Sequence, residues 1–232
     1  MKHPPAAGTT APSRLPGLFI TFEGPEGSGK STQIKRLAAD LEAAGRTVIL
    51  TREPGGTPAG DRIRSILLDK TGITLEPETE VFLMIAQRTE HWRKVIAPAK
   101  ARGCVVLCDR YFDSSLAYQG YGRGIDVAEI RKLHIEFLGS EFLPDATVLF
   151  DLPPEKGLER VRTSGRGAPD RIESEELAFH RRVREGYLAA AAAEPGRYLV
   201  IPADRDVAQV ARDVTAALNA RFALDLSCEA RA

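Results

Sequence analysis

Eight residues near the start of the chain, Gly24-Pro-Glu-Gly-Ser-Gly-Lys-Ser31, constrain the fold more than any other feature. They fit G-x-x-x-x-G-K-[ST] and stand between a β-branched and aromatic run, Leu18 to Phe22, and a helical pattern carried by Ile34, Leu37, Ala38 and Leu41. Strand, glycine-rich turn and helix is the setting in which backbone N–H groups and a helix N-terminus converge on phosphate. With glycine at about 7% of residues, such a match arises by accident on the order of once per hundred chains of this length, and the flanks lower those odds. In this reading Gly24, Glu26, Gly27, Ser28, Gly29 and Thr32 surround the phosphates of ATP, Lys30 reaches the β and γ phosphates, and Ser31 offers a hydroxyl to Mg²⁺.

The same alternation continues downstream. Gly45 closes the first helix, Thr47 to Thr51 reads as a second strand, and further strands are expected near Val105 to Cys108, Thr147 to Asp151 and Tyr198 to Ile201. Between them, Pro77 to Arg102 reads as one long helix whose apolar face is Val81, Met84, Ile85, Trp92, Val95 and Ile96. Arg88 lies on that face, so its guanidinium meets either a buried carboxylate or an anionic or polar ligand. The last helix carries a stripe of Val207, Val210, Ala211, Val214 and Leu218. Alternating β and α elements predict a parallel sheet with helices on both faces. At 232 residues there is room for one such domain, expected over 17–222, between a tail at 1–16 and a second at 223–232 that frays from about Asp225.

Charge and cysteine usage narrow the function. Lys+Arg and Asp+Glu are equal at 32 each, so no global field draws the chain to nucleic acid or membrane, and any polyanion must be held by local charge. The opening segment lacks the apolar run of a secretory signal, and a soluble, cytoplasmic protein is expected. Cys104, Cys108 and Cys228 are read as reduced thiols, the first two packing in a core strand, and His3, His91, His134 and His180 as ordinary surface or helix-face residues.

Three segments point to an acceptor. Arg52-Glu-Pro-Gly-Gly-Thr57 and Leu107-Cys-Asp-Arg-Tyr-Phe-Asp-Ser-Ser-Leu-Ala-Tyr-Gln-Gly120 follow the second and third strands, and therefore overhang the crevice that the phosphate turn faces. Arg162-Thr-Ser-Gly-Arg-Gly-Ala-Pro-Asp-Arg171 is a basic, glycine-flanked loop that reads as a lid, about 163–172. A guanine-reading Asn-Lys-x-Asp tetrad is absent from the sequence, which favours a small phosphotransferase over a GTPase switch.

On these motifs the chain, from about Gly17 to Phe222, resembles the bacterial thymidylate kinases. The resemblance implies a three-layer P-loop NTPase fold, a parallel sheet of about five strands with helices on both faces, and transfer of the γ-phosphate of ATP to dTMP. It implies that Arg110 and Arg64 hold the acceptor phosphate, that Arg88 hydrogen-bonds the thymine edge, and that Ser115 and Gln119 complete the base pocket. Pro54 and Ser114 fall in the same wall, Tyr118 lies against the sugar, Glu26 meets the 3′-hydroxyl, and Asp109 stands near Mg²⁺ beside Ser31. Relatives of this kind are commonly homodimers. Read from the residues alone, Arg64 and Arg162 are equally solvated helix charges, Glu26 a complement to the helix dipole, and Tyr118 a core aromatic.

Two positions depart from the family pattern. Met84 stands where phenylalanine usually stacks on thymine, which weakens base stacking by about 1 to 3 kcal/mol unless the thioether or a shifted Phe82 compensates. Gly27 stands where some members place a catalytic arginine, which moves that task to Arg166 in the lid. The catalytic set expected is thus Lys30, Arg110, Arg166 and Glu26. The alternatives are a kinase for dUMP, UMP or CMP, permitted by Met84, and a nucleotide-binding switch without an acceptor.

Overall fold

The computed structural model describes residues 16–69, 74–165 and 170–227. The stretch 1–15, with His3, the lid residues 166–169, with Arg166, and Cys228 lie outside the described residues. Elements follow in the order β1 (Leu18–Glu23), α1 (Lys30–Ala43), β2 (Val48–Arg52), α2 (Pro58–Leu67), α3 (Pro77–His91), α4 (Ala97–Ala101), β3 (Val105–Asp109), α5 (Phe112–Ser115), α6 (Val127–Leu138), β4 (Ala146–Asp151), α7 (Pro154–Thr163), α8 (Leu177–Ala193), β5 (Tyr198–Pro202) and α9 (Val207–Phe222). A π-helical turn, Trp92–Ile96, joins α3 to α4, so the expected long helix is continuous but widened; a second π-helical turn, Leu116–Gly122, extends α5.

All five strands pair in parallel in the order β2-β3-β1-β4-β5, as the alternation of elements required. Alternate residues of the central strands feed opposite faces. Ile20, Phe22, Leu107, Val148 and Phe150 pack against α1 and α9, while Phe19 and Val106 pack against α3 and α6. On the second face the pattern turns polar toward the strand ends. Thr21 and Glu23 are fully buried there, and Thr21 pairs with Thr147 across the strands at 3.0 Å.

Several sequence expectations need correction. Of the two kinds of position expected for the histidines, His91, His134 and His180 take the helix-face one, on α3, α6 and α8, and on the buried side rather than at the surface. Val207 is exposed, because Asp206 caps α9 through the N–H groups of Ala208 and Gln209 and leaves the first turn in solvent. The chain does not fray at Asp225. Asn219 donates to the Leu226 carbonyl at 2.9 Å and accepts its N–H at 3.0 Å, which delivers Leu226 into the core.

The inward Arg88 has the first of its two expected kinds of partner. Its Nε donates to Glu53 Oε2 at 2.7 Å, and Nη2 reaches the same oxygen at 2.7 Å and the Tyr111 carbonyl at 2.9 Å. Nη1 donates to Ser115 Oγ at 3.0 Å and to His134 Nε2 at 2.6 Å. Five donors therefore meet five acceptor contacts. His134 must accept from Arg88, so it carries its proton on Nδ1, facing the Ile130 carbonyl at 2.7 Å; burial and the neighbouring guanidinium lower its pKa to about 3. The other Glu53 oxygen meets His91 Nδ1 at 2.9 Å. This network ties the end of β2 to α3, α5 and α6. Arg88→Met, which leaves buried Glu53 without its arginine, is expected to destabilise the protein by about 3 to 5 kcal/mol, read from urea denaturation midpoints at unchanged m-value.

Candidate functional site

The turn from β1 to α1 is built for close approach. Gly24, Gly27 and Gly29 all have positive φ (138°, 66° and 90°), the left-handed region that glycine tolerates. At Gly27 a Cβ would lie 2.2 Å from the Gly157 carbonyl of α7, and at Gly157 one would lie 2.1 Å from the Glu26 carbonyl. The two backbones are in direct contact, and the arginine some relatives place at Gly27 has no room here. Lys30 folds over the turn, donating to the carbonyls of Gly24 (3.0 Å) and Pro25 (2.9 Å) and to Ser28 Oγ (3.2 Å). Burial and the nearby Arg110 lower its pKa to about 8.

The β1–β3 register sets Phe22 opposite Asp109. The Arg110 N–H extends that ladder to the Phe22 carbonyl at 3.0 Å, and its backbone turns to φ 66°. Asp109 Oδ2 accepts from Ser31 Oγ at 2.7 Å. Arg110 Nη2 pairs with Glu26 Oε1 at 2.5 Å, and Tyr118 Oη donates to the same oxygen at 2.9 Å with the guanidinium 5.0 Å above its ring. Burial alone would raise the Glu26 carboxyl, but the Arg110 and Lys30 cations and the Tyr118 hydroxyl bring it below its ordinary value. Tyr118 is thus neither a bare core aromatic nor free; it completes a charged triad.

Lys30 and Arg110 open into one cavity of about 440 Å³. Of the residues singled out in the sequence, Glu26 to Thr32, Pro54, Arg64, Met84, Asp109, Arg110, Ser114, Tyr118 and Gln119 line it. Gly24 supports the turn from behind through its carbonyl contacts with Lys30 and Arg110. Arg64 donates to the Pro54 carbonyl at 3.0 Å; partial burial and the like charges of Arg52 and Arg110 depress its pKa. Arg88 and Ser115 are fully buried behind the wall and do not line the cavity. Phe82 is 58% exposed and does not line it either, so Met84 alone stands at the expected stacking position.

Sequence reasoning missed several wall residues, because their partners are remote. Arg171 crosses from the segment after the lid to the Leu67 carbonyl of α2 (2.9 Å) and to Glu80 of α3 (2.8 Å), and Arg160 of α7 reaches the Ala203 carbonyl at 3.3 Å. Glu23 was also missed. Its Oε2 lies 2.6 Å from Ser114 Oγ and 2.9 Å from Tyr187 Oη, which are 2.8 Å from each other. Both hydroxyls donate to this one carboxyl oxygen, while the Tyr111 N–H donates to the other at 2.7 Å. Burial first, then the neighbouring Asp113, pushes Glu23 up to about 7. Arg110 Nη1 donates to the same Tyr187 hydroxyl at 3.1 Å.

Comparison with known proteins bears directly on this cavity. A family model described as Thymidylate kinase matches residues 22–214. The thymidylate kinase of Deinococcus radiodurans is 51% identical over 205 residues, covering 88% of this chain and 98% of that protein. That of Trichlorobacter lovleyi is 50% identical over 212 residues, covering 89% and 99%. A solved thymidylate kinase from Ehrlichia chaffeensis superposes with a TM-score of 0.70 at 35% identity, covering 88% of this chain and 99% of that one.

Two outcomes follow from the geometry. Gly27→Ala, strained in backbone and driven into Gly157, is expected to destabilise the protein by about 1 to 3 kcal/mol and to weaken ATP binding at least about tenfold, read by calorimetry. Glu23 titrates near 7 when folded and near 4.5 otherwise, so the folded state binds the extra proton between those values and loses stability as pH rises through that window. Glu23→Gln removes that loss: from pH 5 to 8 the wild-type melting temperature falls a few degrees relative to the variant.

Proposed function

The chain belongs to the thymidylate kinase family, and from that premise we propose that it transfers the γ-phosphate of ATP to dTMP, giving dTDP and ADP for dTTP synthesis. The observation that carries the reading is that Lys30 and Arg110 open into one cavity whose wall also includes Arg64, Met84 and Gln119. The reading seats donor and acceptor end to end in that space. Arg64 and Arg110, like charges held close enough to perturb one another, form an anion site for the acceptor phosphate. The attacking phosphate oxygen is already anionic, so catalysis is positioning and charge neutralisation and needs no strong base.

The donor set suits Mg²⁺. Ser31 Oγ and Asp109 Oδ2 meet at the head of the cavity, and no cluster of three or more His, Cys, Asp or Glu side chains stands ready for a metal among the described residues. One or two hard oxygen ligands, with the remainder from water and substrate phosphates, is the coordination Mg²⁺ accepts. When bound, the ion neutralises charge on the β and γ phosphates. Lys30 exchanges its three protein acceptors for phosphate oxygens. Glu26, held by Arg110 and Tyr118, stands where a deoxyribose hydroxyl arrives, and Tyr118 crowds a 2′-hydroxyl. Arg88 and Ser115 reach the base only by giving up one of the contacts that Arg88 already makes; otherwise they brace the wall. Arg166 of the lid is the cation proposed to close over the transferring group.

No helix among the described residues is long and apolar enough to cross a membrane, and the reading places the enzyme in the cytoplasm. Helices α2, α3 and α6 lie side by side and leave Ile66, Phe82 and Phe137 in solvent; a second copy of the chain is the partner proposed there. In a coupled ADP-release assay with ATP and Mg²⁺, dTMP is expected to be the best acceptor among dTMP, dUMP, UMP and CMP. Arg166→Ala should lower kcat by roughly 10³ or more with little change in dTMP affinity. ADP release indifferent to dTMP would sink the reading.

A further inference from the structure

Glu80 is 1% exposed on α3, yet it belongs to the cavity wall beside Gln119, which is 7% exposed. Its Oε1 accepts from Arg171 Nη1 at 2.8 Å and faces Arg123 Nη2 at 3.3 Å. Its Oε2 accepts from Gln119 Nε2 at 2.9 Å. A carboxylate paired with two arginines is an acceptor only. It therefore admits the NH₂ end of the Gln119 amide and repels the carbonyl end, so the amide orientation, which is ordinarily ambiguous, is dictated by its neighbour. The atom left to meet a ligand is the acceptor Oε1.

We propose that Glu80 sets the pyrimidine preference of this site by locking the Gln119 amide with its oxygen toward the base. The proposal rests on dTMP being the acceptor. The hydrogen-bonding edge of thymine runs acceptor, donor, acceptor through O2, N3–H and O4; that of cytosine runs acceptor, acceptor, donor. A fixed amide oxygen pairs with N3–H and opposes the lone pair of cytosine N3. A freely turning amide would offer NH₂ to cytosine equally well and discriminate little. An unpaired polar atom buried against the wrong base is what produces large selectivity in such pockets. Arg171 ties the segment after the lid to the Leu67 carbonyl of α2 at 2.9 Å and to Glu80 Oε1, but it does not touch the Gln119 amide, which Glu80 Oε2 holds by itself. Base reading thus rests on a residue of α3 and one of the second π-helical turn together. Glu80 is a positioning residue, acting through Gln119.

The test compares kcat/KM for dTMP and 5-methyl-dCMP, which share the C5 methyl and differ only in the N3 and C4 edge. Wild type is expected to prefer dTMP, and Glu80→Gln to reduce that ratio by about tenfold or more, chiefly through KM, with kcat on dTMP changing less. In a Gln119→Leu background the same substitution is expected to change the ratio no further. Arg171→Met, which leaves the Glu80 acceptor in place, should keep the ratio and stands whether or not Glu80→Gln folds by circular dichroism. Equal efficiency of wild type on both nucleotides, an unchanged ratio in folded Glu80→Gln, an undiminished effect without Gln119, or a lost ratio in Arg171→Met would each overturn the proposal. A wild type inactive on dTMP defeats the acceptor reading itself, a different failure.

Discussion

The pairing of β1 with β3 is the constraint from which the site follows. Because Phe22 lies opposite Asp109, the two strands end level, and the segments that leave them are forced to face each other over a few ångströms. One is the phosphate turn with Lys30 and Ser31; the other begins Asp109-Arg110. The hydrogen bond from the Arg110 N–H to the Phe22 carbonyl carries the ladder one step past β3 and fixes where the arginine leaves the sheet. A slip of one residue would send every side chain of β3 to the opposite face, and Asp109 would no longer meet Ser31.

Behind that junction lies a layer of buried polar groups that is unusual for the centre of a sheet. Glu23, Ser114 and Tyr187 form one part, and Asp113 with Arg197 and Thr147 forms another. Buried polar groups are costly unless satisfied. Here they are satisfied by one another, and the geometry this enforces ends at Arg110 through the Tyr187 hydroxyl. The second network, around Arg88 and Glu53, does the same for the wall of the opposite end. The cavity is held from behind by two charged networks, with apolar packing farther from the strand ends.

Much of this was legible in the residues. Five strands, the long helix and the phosphate turn follow from local periodicity and from glycine chemistry, which short windows record faithfully. The roles proposed for Arg110, Tyr118 and Gln119 rest on resemblance, since nothing local distinguishes them from core residues. What escaped was nonlocal. Glu80 looks like a helix N-terminal acid, Glu53 like part of a turn, and Arg171 like one more basic loop residue, until the fold brings them within 3 Å of their partners. That the helix faces carrying His91 and His134 are the buried ones could not be read locally for the same reason: His134 is accommodated inside by Arg88, 46 residues away. Leu226 was read as tail because its anchor, Asn219, sits on the previous helix.

The contact between Gly27 and Gly157 couples the turn mechanically to α7. Where two main chains touch without an intervening side chain, neither position is free to vary alone. A side chain at either glycine would require α7 to draw back from the turn, or the turn from α7. A displacement of α7 is thus felt directly at the Gly27 backbone of the turn, with no side chain between them to absorb it.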